Sequence, residues 1–294
     1  MKNEIQKNIS LFFLTKDRSK YLRQNIIWHK NSGFKSSIPT FGVMHYIRIF
    51  LLALWNVWFY VLALVALVLC FPFLLVCLLR EQWYQGIYFL GRYFWSPFIL
   101  FGMGFIPIIR HKATIDYSKQ YVFVANHLSM IDIMMLFVTI RKPSMFIGKA
   151  ELKRLPLFAT IYKRAAILVD RDSASSRKSV YFQAKRKLGL GINIVLYPEG
   201  LVPAPDVFLA PFKKGAFSLA IEHQIPIVPI TLPDCKKRFP FQFSYKYWVG
   251  TPGTVRAHVH KPFETVGLTK ADLPALMEKV YAFMENTLRS EGYN

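Results

Sequence analysis

From Ile49 to Leu79 the chain carries no charged side chain, and Arg48 and Arg80 bracket the run. A membrane-spanning helix needs roughly 20 apolar residues, so these 31 residues (49 to 79) read first as a membrane-anchoring segment. Pro72 lies inside the run and argues against a single straight helix. Two forms fit: a spanning helix from about Tyr46 to Phe71 broken at Pro72, or a bent pair that enters the bilayer and returns on the same side. Pro72 favours the second. A further apolar stretch, Trp83 to Ile109, holds only Arg92 before Arg110 and reads as partly inserted or interfacial. A buried hairpin in a soluble protein is the competing reading, but so long an uncharged run is rare in soluble chains. A cleaved signal peptide does not fit, because the run starts too late, is too long and lacks a small-residue cleavage site.

The net charge of +21 limits the partners. Residues 1–45 alone hold eight Lys/Arg and two acids, 8 − 2 = +6. Such an excess suits either nucleic acid or an anionic lipid surface. Beside an apolar anchor the membrane is the better partner. Nucleic acid is not expected, since the aromatics sit in apolar runs and do not interleave with the basic residues. Three cysteines without a CxxC pair suggest a reducing compartment and no disulfide framework. His258 and His260 share one side of a strand but lack a third ligand, so no metal is expected.

The chain divides into a basic extension (1–45), a membrane-anchoring helical segment (46–112) and a catalytic-type domain (113–294). In the last, strand-like runs at 121–125, 145–148, 167–169, 192–197 and 226–232 alternate with helical stretches at 130–140, 151–164, 173–188, 214–223 and 273–289. Asp172 or Ser173 caps the third of these helices. Alternation of this kind gives an α/β fold, a mainly parallel sheet flanked by helices. Sites in such sheets form at the carboxyl ends of strands.

The residues with chemistry fall at those ends. Asn126-His127-Leu128-Ser129-Met130-Ile131-Asp132 follows the first run, and a turn there lets the Asp132 carboxylate reach the imidazole. A histidine so oriented can take a proton from a hydroxyl. Asp170-Arg171 follows the strand at 167–169, and Tyr197-Pro198-Glu199-Gly200 follows the next. Ile225-Pro226-Ile227-Val228-Pro229-Ile230 opens the strand after that. Each alone has a bland alternative; the ordered set of four does not. Ser129 lacks the Gly-x-Ser-x-Gly elbow of a nucleophile.

On these residues the chain resembles the PlsC-type glycerolipid acyltransferases, the 1-acylglycerol-3-phosphate O-acyltransferases, over about residues 113–265. Their Asn-His-x4-Asp block corresponds to Asn126, His127 and Asp132. Their Val-Asp-Arg block corresponds to Val169, Asp170 and Arg171, and their Pro-Glu-Gly block to Pro198, Glu199 and Gly200. The stretches beginning at Lys149 and Phe212 also look family-like. The resemblance implies direct acyl transfer from acyl-CoA or acyl carrier protein to a lysophospholipid hydroxyl, giving phosphatidic acid, with no cofactor. It implies His127 as base and Asp132 as its partner. Asn126, Lys149, Arg171, Glu199, Gly200, Lys213 and Lys214 would lie on the substrate side. Backbone amides near the dyad, or at the N-terminus of the following helix, would serve the oxyanion. The expected setting is the inner membrane of the cell, with the site facing the cytoplasm.

Two departures stand out. Ala165 replaces a family glycine, and Leu201-Val202 replaces Thr-Arg. The family arginine helps hold the acceptor phosphate, so Lys213 and Lys214 become the candidate replacements. An amino-acid-headed lysolipid remains an alternative acceptor. A non-enzymatic basic membrane-binding protein is the other alternative.

Overall fold

The computed structural model describes residues 43–80, 83–149, 162, 165–169, 173–204, 206–241 and 250–293. Its first element, helix α1, runs unbroken from Val43 to Leu78 with Pro72 inside it. The break or fold-back expected within residues 49–79 is therefore not there. Proline costs the helix one hydrogen bond, and membrane-type helices tolerate that loss. At 1.5 Å per residue its 36 residues span about 54 Å.

One face of α1 is protein-facing and the other is not. Leu52, Phe59, Leu62, Ala66, Cys70 and Leu74 are buried, at the three- to four-residue spacing of a helix stripe or two such steps. Leu54, Trp58, Val61, Leu64, Val68 and Phe73 are exposed on the remainder. The stretch Tyr46–Leu78 is long and apolar enough to cross a membrane, with a mean hydropathy of 3.1 over its best window. An apolar surface this large is stable when lipid covers it.

Helices α2 (Tyr84–Leu90) and α3 (Ser96–Gly102) follow, joined by a π-helical turn at Gly91–Trp95. Gly102 lets α1 come close. A Cβ there would lie 2.7 Å from Leu62 Cδ1, and Trp58 Nε1 donates to the Gly102 carbonyl at 2.9 Å. Tyr84 and Tyr88 donate to the carbonyls of Ser144 (2.6 Å) and Ile140 (2.8 Å), which fixes α2 to the domain behind it.

Among the described residues seven strands form one sheet: β1 (Phe105–His111), β2 (Val122–Ala125), β3 (Ser144–Lys149), β4 (Ala166–Val169), β5 (Asn193–Leu196), β6 (Ile227–Thr231) and β7 (Gly253–Val259). Their order is β1-β7-β6-β2-β5-β3-β4. Every ladder is parallel except β6–β7. The sheet begins at Phe105, inside the stretch read from sequence as membrane segment, because Phe105–His111 pairs along its whole length with β7. Central β2 and β6 are buried at every position, as strands covered on both faces must be.

Among the described residues the domain also holds helices α4 (Asp132–Thr139), α5 (Ala174–Gly189), α6 (Gly215–His223), α7 (Cys235–Arg238) and α8 (Leu273–Ser290). Ser173 caps α5 by accepting from Ser176 N at 3.2 Å. The helix expected at 151–164 lies outside the described residues. The end of α8 is tied to the sheet by polar contacts. Thr231 Oγ1 donates to Glu291 at 2.9 Å, His258 pairs with the same carboxylate, and Arg256, which also forks onto Asp234, donates to the Glu291 carbonyl at 3.1 Å. Burial pushes His260 beside them down to about 4.

Candidate active site

The site grows from the carboxyl end of β2. Asn126, the first residue beyond the strand, exchanges two hydrogen bonds with the main chain of Leu232. Its Oδ1 accepts from Leu232 N at 2.9 Å and its Nδ2 donates to Leu232 O at 3.2 Å. The amide joins the ends of β2 and β6 and is 2% exposed, so its polar atoms face backbone and not an open pocket.

His127 comes next. The chain turns over Leu128–Ile131, and Asp132 opens α4. Asp132 Oδ2 gathers three donors: Leu128 N at 2.9 Å, Ser129 N at 2.8 Å and His127 Nδ1 at 2.9 Å. A carboxylate with two amide donors already in place requires the proton on Nδ1. Nε2 then carries the free lone pair, which is the state a general base needs. Its side chain is 12% exposed and that of Asp132 1%. Ser129 is fully buried; its hydroxyl donates to Phe239 O and accepts from Ile131 N, so it is spent on the turn. The amides of residues 127 to 129 are likewise engaged, by Glu199 and Asp132.

Glu199 reaches the dyad from β5. Its Oε1 accepts from His127 N at 2.9 Å and its Oε2 from Ala210 N at 2.8 Å. Burial pushes its carboxyl up to about 7, against the pull of those two amides and with help from the nearby Asp132 charge. The folded protein thus holds a proton that an unfolded chain, with the group near 4.5, has released. The contribution of Glu199 to stability is full below about 4.5, falls as the pH rises to about 7, and is flat above. The melting-temperature gap between wild type and Glu199→Gln in detergent should shrink across that window. A gap that stays constant across that window would show that the residue is ionised throughout in the fold.

Gly200 adopts φ +72°, a turn conformation that favours glycine, and a Cβ there would press on Lys213 Cγ at 3.0 Å. Lys213 N donates to Pro198 O at 2.7 Å, which brings the exposed Lys213 and Lys214 to this end of the sheet. Both lysines line a cavity of about 410 Å³ with Gly200, Pro198 and Tyr197. A second cavity of about 180 Å³ lies against α1, α2 and the sheet, with Cys70, Leu74, Trp95 and Phe137 in its wall. Lys149 ends β3 opposite Val169 of β4. Arg171 lies outside the described residues.

Sequence reasoning gave no role to two aromatics. The Tyr197 ring stacks on His127 with centroids 3.8 Å apart and planes 10° apart. Tyr293 is buried behind the site, where burial and the charges of Asp132 and Glu199 push its phenol upward. Position at a strand end could have flagged Tyr197; nothing local in the sequence points to Tyr293.

The acyltransferase family model matches residues 107–233. The human 1-acyl-sn-glycerol-3-phosphate acyltransferase beta is 31% identical over 217 residues, covering 72% of this chain and 76% of that protein. The Saccharomyces cerevisiae 1-acyl-sn-glycerol-3-phosphate acyltransferase is 31% identical over 184 residues, covering 60% of this chain and 58% of its own length. The crystal structure of the 1-acyl-sn-glycerophosphate acyltransferase PlsC from Thermotoga maritima superposes with a TM-score of 0.67 at 22% identity, covering 84% of this chain and 98% of that one. At that identity the likeness is one of fold.

Proposed function

The chain belongs to the acyltransferase family, and from that membership we propose that it moves a fatty acyl group from an acyl thioester to the free hydroxyl of 1-acyl-sn-glycerol 3-phosphate, giving phosphatidic acid. One observation carries the reading: a histidine with Nδ1 held by a buried carboxylate and Nε2 unengaged among the described residues, at the carboxyl end of a parallel sheet.

His127 Nε2 takes the proton of the acceptor hydroxyl as its oxygen bonds to the thioester carbonyl carbon. Asp132 keeps the imidazole in the required tautomer and faces the imidazolium that forms. The tetrahedral intermediate collapses with cleavage of the carbon–sulfur bond, and the thiolate leaves with the proton from Nε2. No covalent acyl-enzyme is needed. The apolar cavity beside α1 suits the acyl chain, and the lysine-edged cavity suits the acceptor and its phosphate. Lys213 and Lys214 take the place of the missing family arginine, since Val202 packs against the core. The family resemblance assigns Arg171 and Lys149 to the acceptor as well. Acyl-CoA and acyl carrier protein both present the thioester, and both are acidic partners for a chain of charge +21. The protein resides in the inner membrane with its site toward the cytoplasm, where those donors are.

The test is transfer of a labelled acyl group, in detergent, to lysophosphatidate, amino-acid-headed lysolipids and no acceptor. Product on lysophosphatidate is expected. Product only on the amino-acid lipids overturns the acceptor, and none with either donor overturns the enzyme. Lys213→Ala and Lys214→Ala should each raise KM for lysophosphatidate by about tenfold, the scale of one charge-assisted hydrogen bond, with less change in kcat. Unchanged KM in both variants would remove the lysines from the acceptor site.

A further inference from the structure

The two cavities share two residues among those described, Ile147 and Tyr197. Tyr197 is also the ring stacked on His127. Its hydroxyl is buried and has no hydrogen-bond partner among the described residues, so the contacts belong to the ring. We propose that Tyr197 is a positioning and specificity-determining residue, whose ring fixes the plane of the His127 imidazole and walls the acyl-chain cavity off from the acceptor cavity. The inference rests on the acyl-transfer reading above.

The physical need for such a ring is plain at both contacts. A single hydrogen bond from Nδ1 leaves the imidazole free to tilt about the line to Asp132 Oδ2. A parallel ring at van der Waals distance removes that freedom and fixes where Nε2 points. Reaction rates depend steeply on such placement, because the base must meet the hydroxyl in near-attack geometry. The wall matters for a different reason. Both substrates carry a long apolar chain, and nothing in apolar contact alone tells one chain from the other. A rigid partition gives each its own space and gives the donor cavity a defined end. Ile147 shares the partition but is not in ring contact with His127, so the two roles can be separated by mutation.

The experiment uses the full chain in detergent, lysophosphatidate as acceptor and acyl-CoA donors from lauroyl to stearoyl, with thermal melting as a check on folding. Tyr197→Leu keeps apolar bulk but loses the stack. It should lower kcat about tenfold, the order expected for a misaimed catalytic group, and flatten the preference among donors. Tyr197→Phe should recover most of the kcat and the donor preference. Ile147→Ala should alter the donor preference with a smaller fall in kcat. A folded Tyr197→Leu with wild-type kcat and donor preference overturns the proposal, as does a Tyr197→Phe that behaves like the leucine variant. If Tyr197→Leu does not fold, an unaltered donor preference in Ile147→Ala overturns the partition. Wild-type protein that gives no product on any acceptor is a failure of the acyl-transfer reading itself and is seen before any variant is made.

Discussion

Replacing His127 by alanine should reduce kcat/KM for acyl transfer by about 10³-fold while leaving the fold in place. A positioned general base contributes about 10²–10⁴ to a rate, and neither Ser129 nor Glu199, the nearest candidates among the described residues, is free to take over. Ser129 has its hydroxyl bound in the turn, and both Glu199 oxygens accept backbone amides. The fold survives because the turn does not depend on the imidazole. Asp132 Oδ2 still accepts from Leu128 N and Ser129 N, and Glu199 still accepts from the backbone N of residue 127. Labelled transfer and thermal melting on the same preparation check both halves. A folded His127→Ala that retains activity within a few-fold of wild type would falsify the dyad.

The second large effect concerns the anchor. Leu64→Lys with Val68→Lys should strip the protein from the membrane fraction. The two positions lie one turn apart near the middle of α1, and both point away from the protein, at 57% and 56% exposure. A lysine at the centre of a spanning helix costs about 2.5–3.5 kcal/mol, so the pair costs about 5–7 kcal/mol, less whatever snorkelling recovers. The alanine pair at the same positions should stay membrane-bound. Fractionation after an alkaline wash gives the answer. A lysine pair found in the pellet as fully as wild type would mean that this face of α1 does not meet lipid. The domain-side face should behave differently: Leu62 and Ala66 belong to the main hydrophobic cluster, so charge there would damage folding before it changed partition.

Much of the sheet was legible because parallel strands buried on both faces write themselves as short apolar runs between helical stretches. The strands at 122–125, 193–196 and 227–231 fall inside the expected runs. Strand β1 was not legible for the same reason turned round. Phe105–His111 continues an apolar, aromatic stretch, and hydropathy cannot tell lipid from protein interior as the destination of such residues. The sequence rule for proline likewise failed at Pro72, where a missing backbone donor was absorbed without a break. At the site, spacing alone joined His127 to Asp132, since five residues and one turn bring them together. Asn126 and Glu199 stand in the recognised motifs, but their partners are backbone groups of Leu232, His127 and Ala210, contacts between distant parts of the chain that no local pattern encodes. The stack of Tyr197 on His127 is hidden for the same reason.

The long reach of those contacts sets the order in which the protein matures during synthesis. His127 waits for Glu199, 72 residues later, while Asn126 and Ser129 wait for Leu232 and Phe239, 106 and 110 residues later. At about 5–20 residues per second, these partners leave the ribosome roughly 4 to 20 s after the turn they complete. Helix α1 precedes all of them and meets the bilayer while the sheet is still being made. The growing chain is therefore tethered to its lipid surface first and gains a working base last, so that the site closes where its substrates already are.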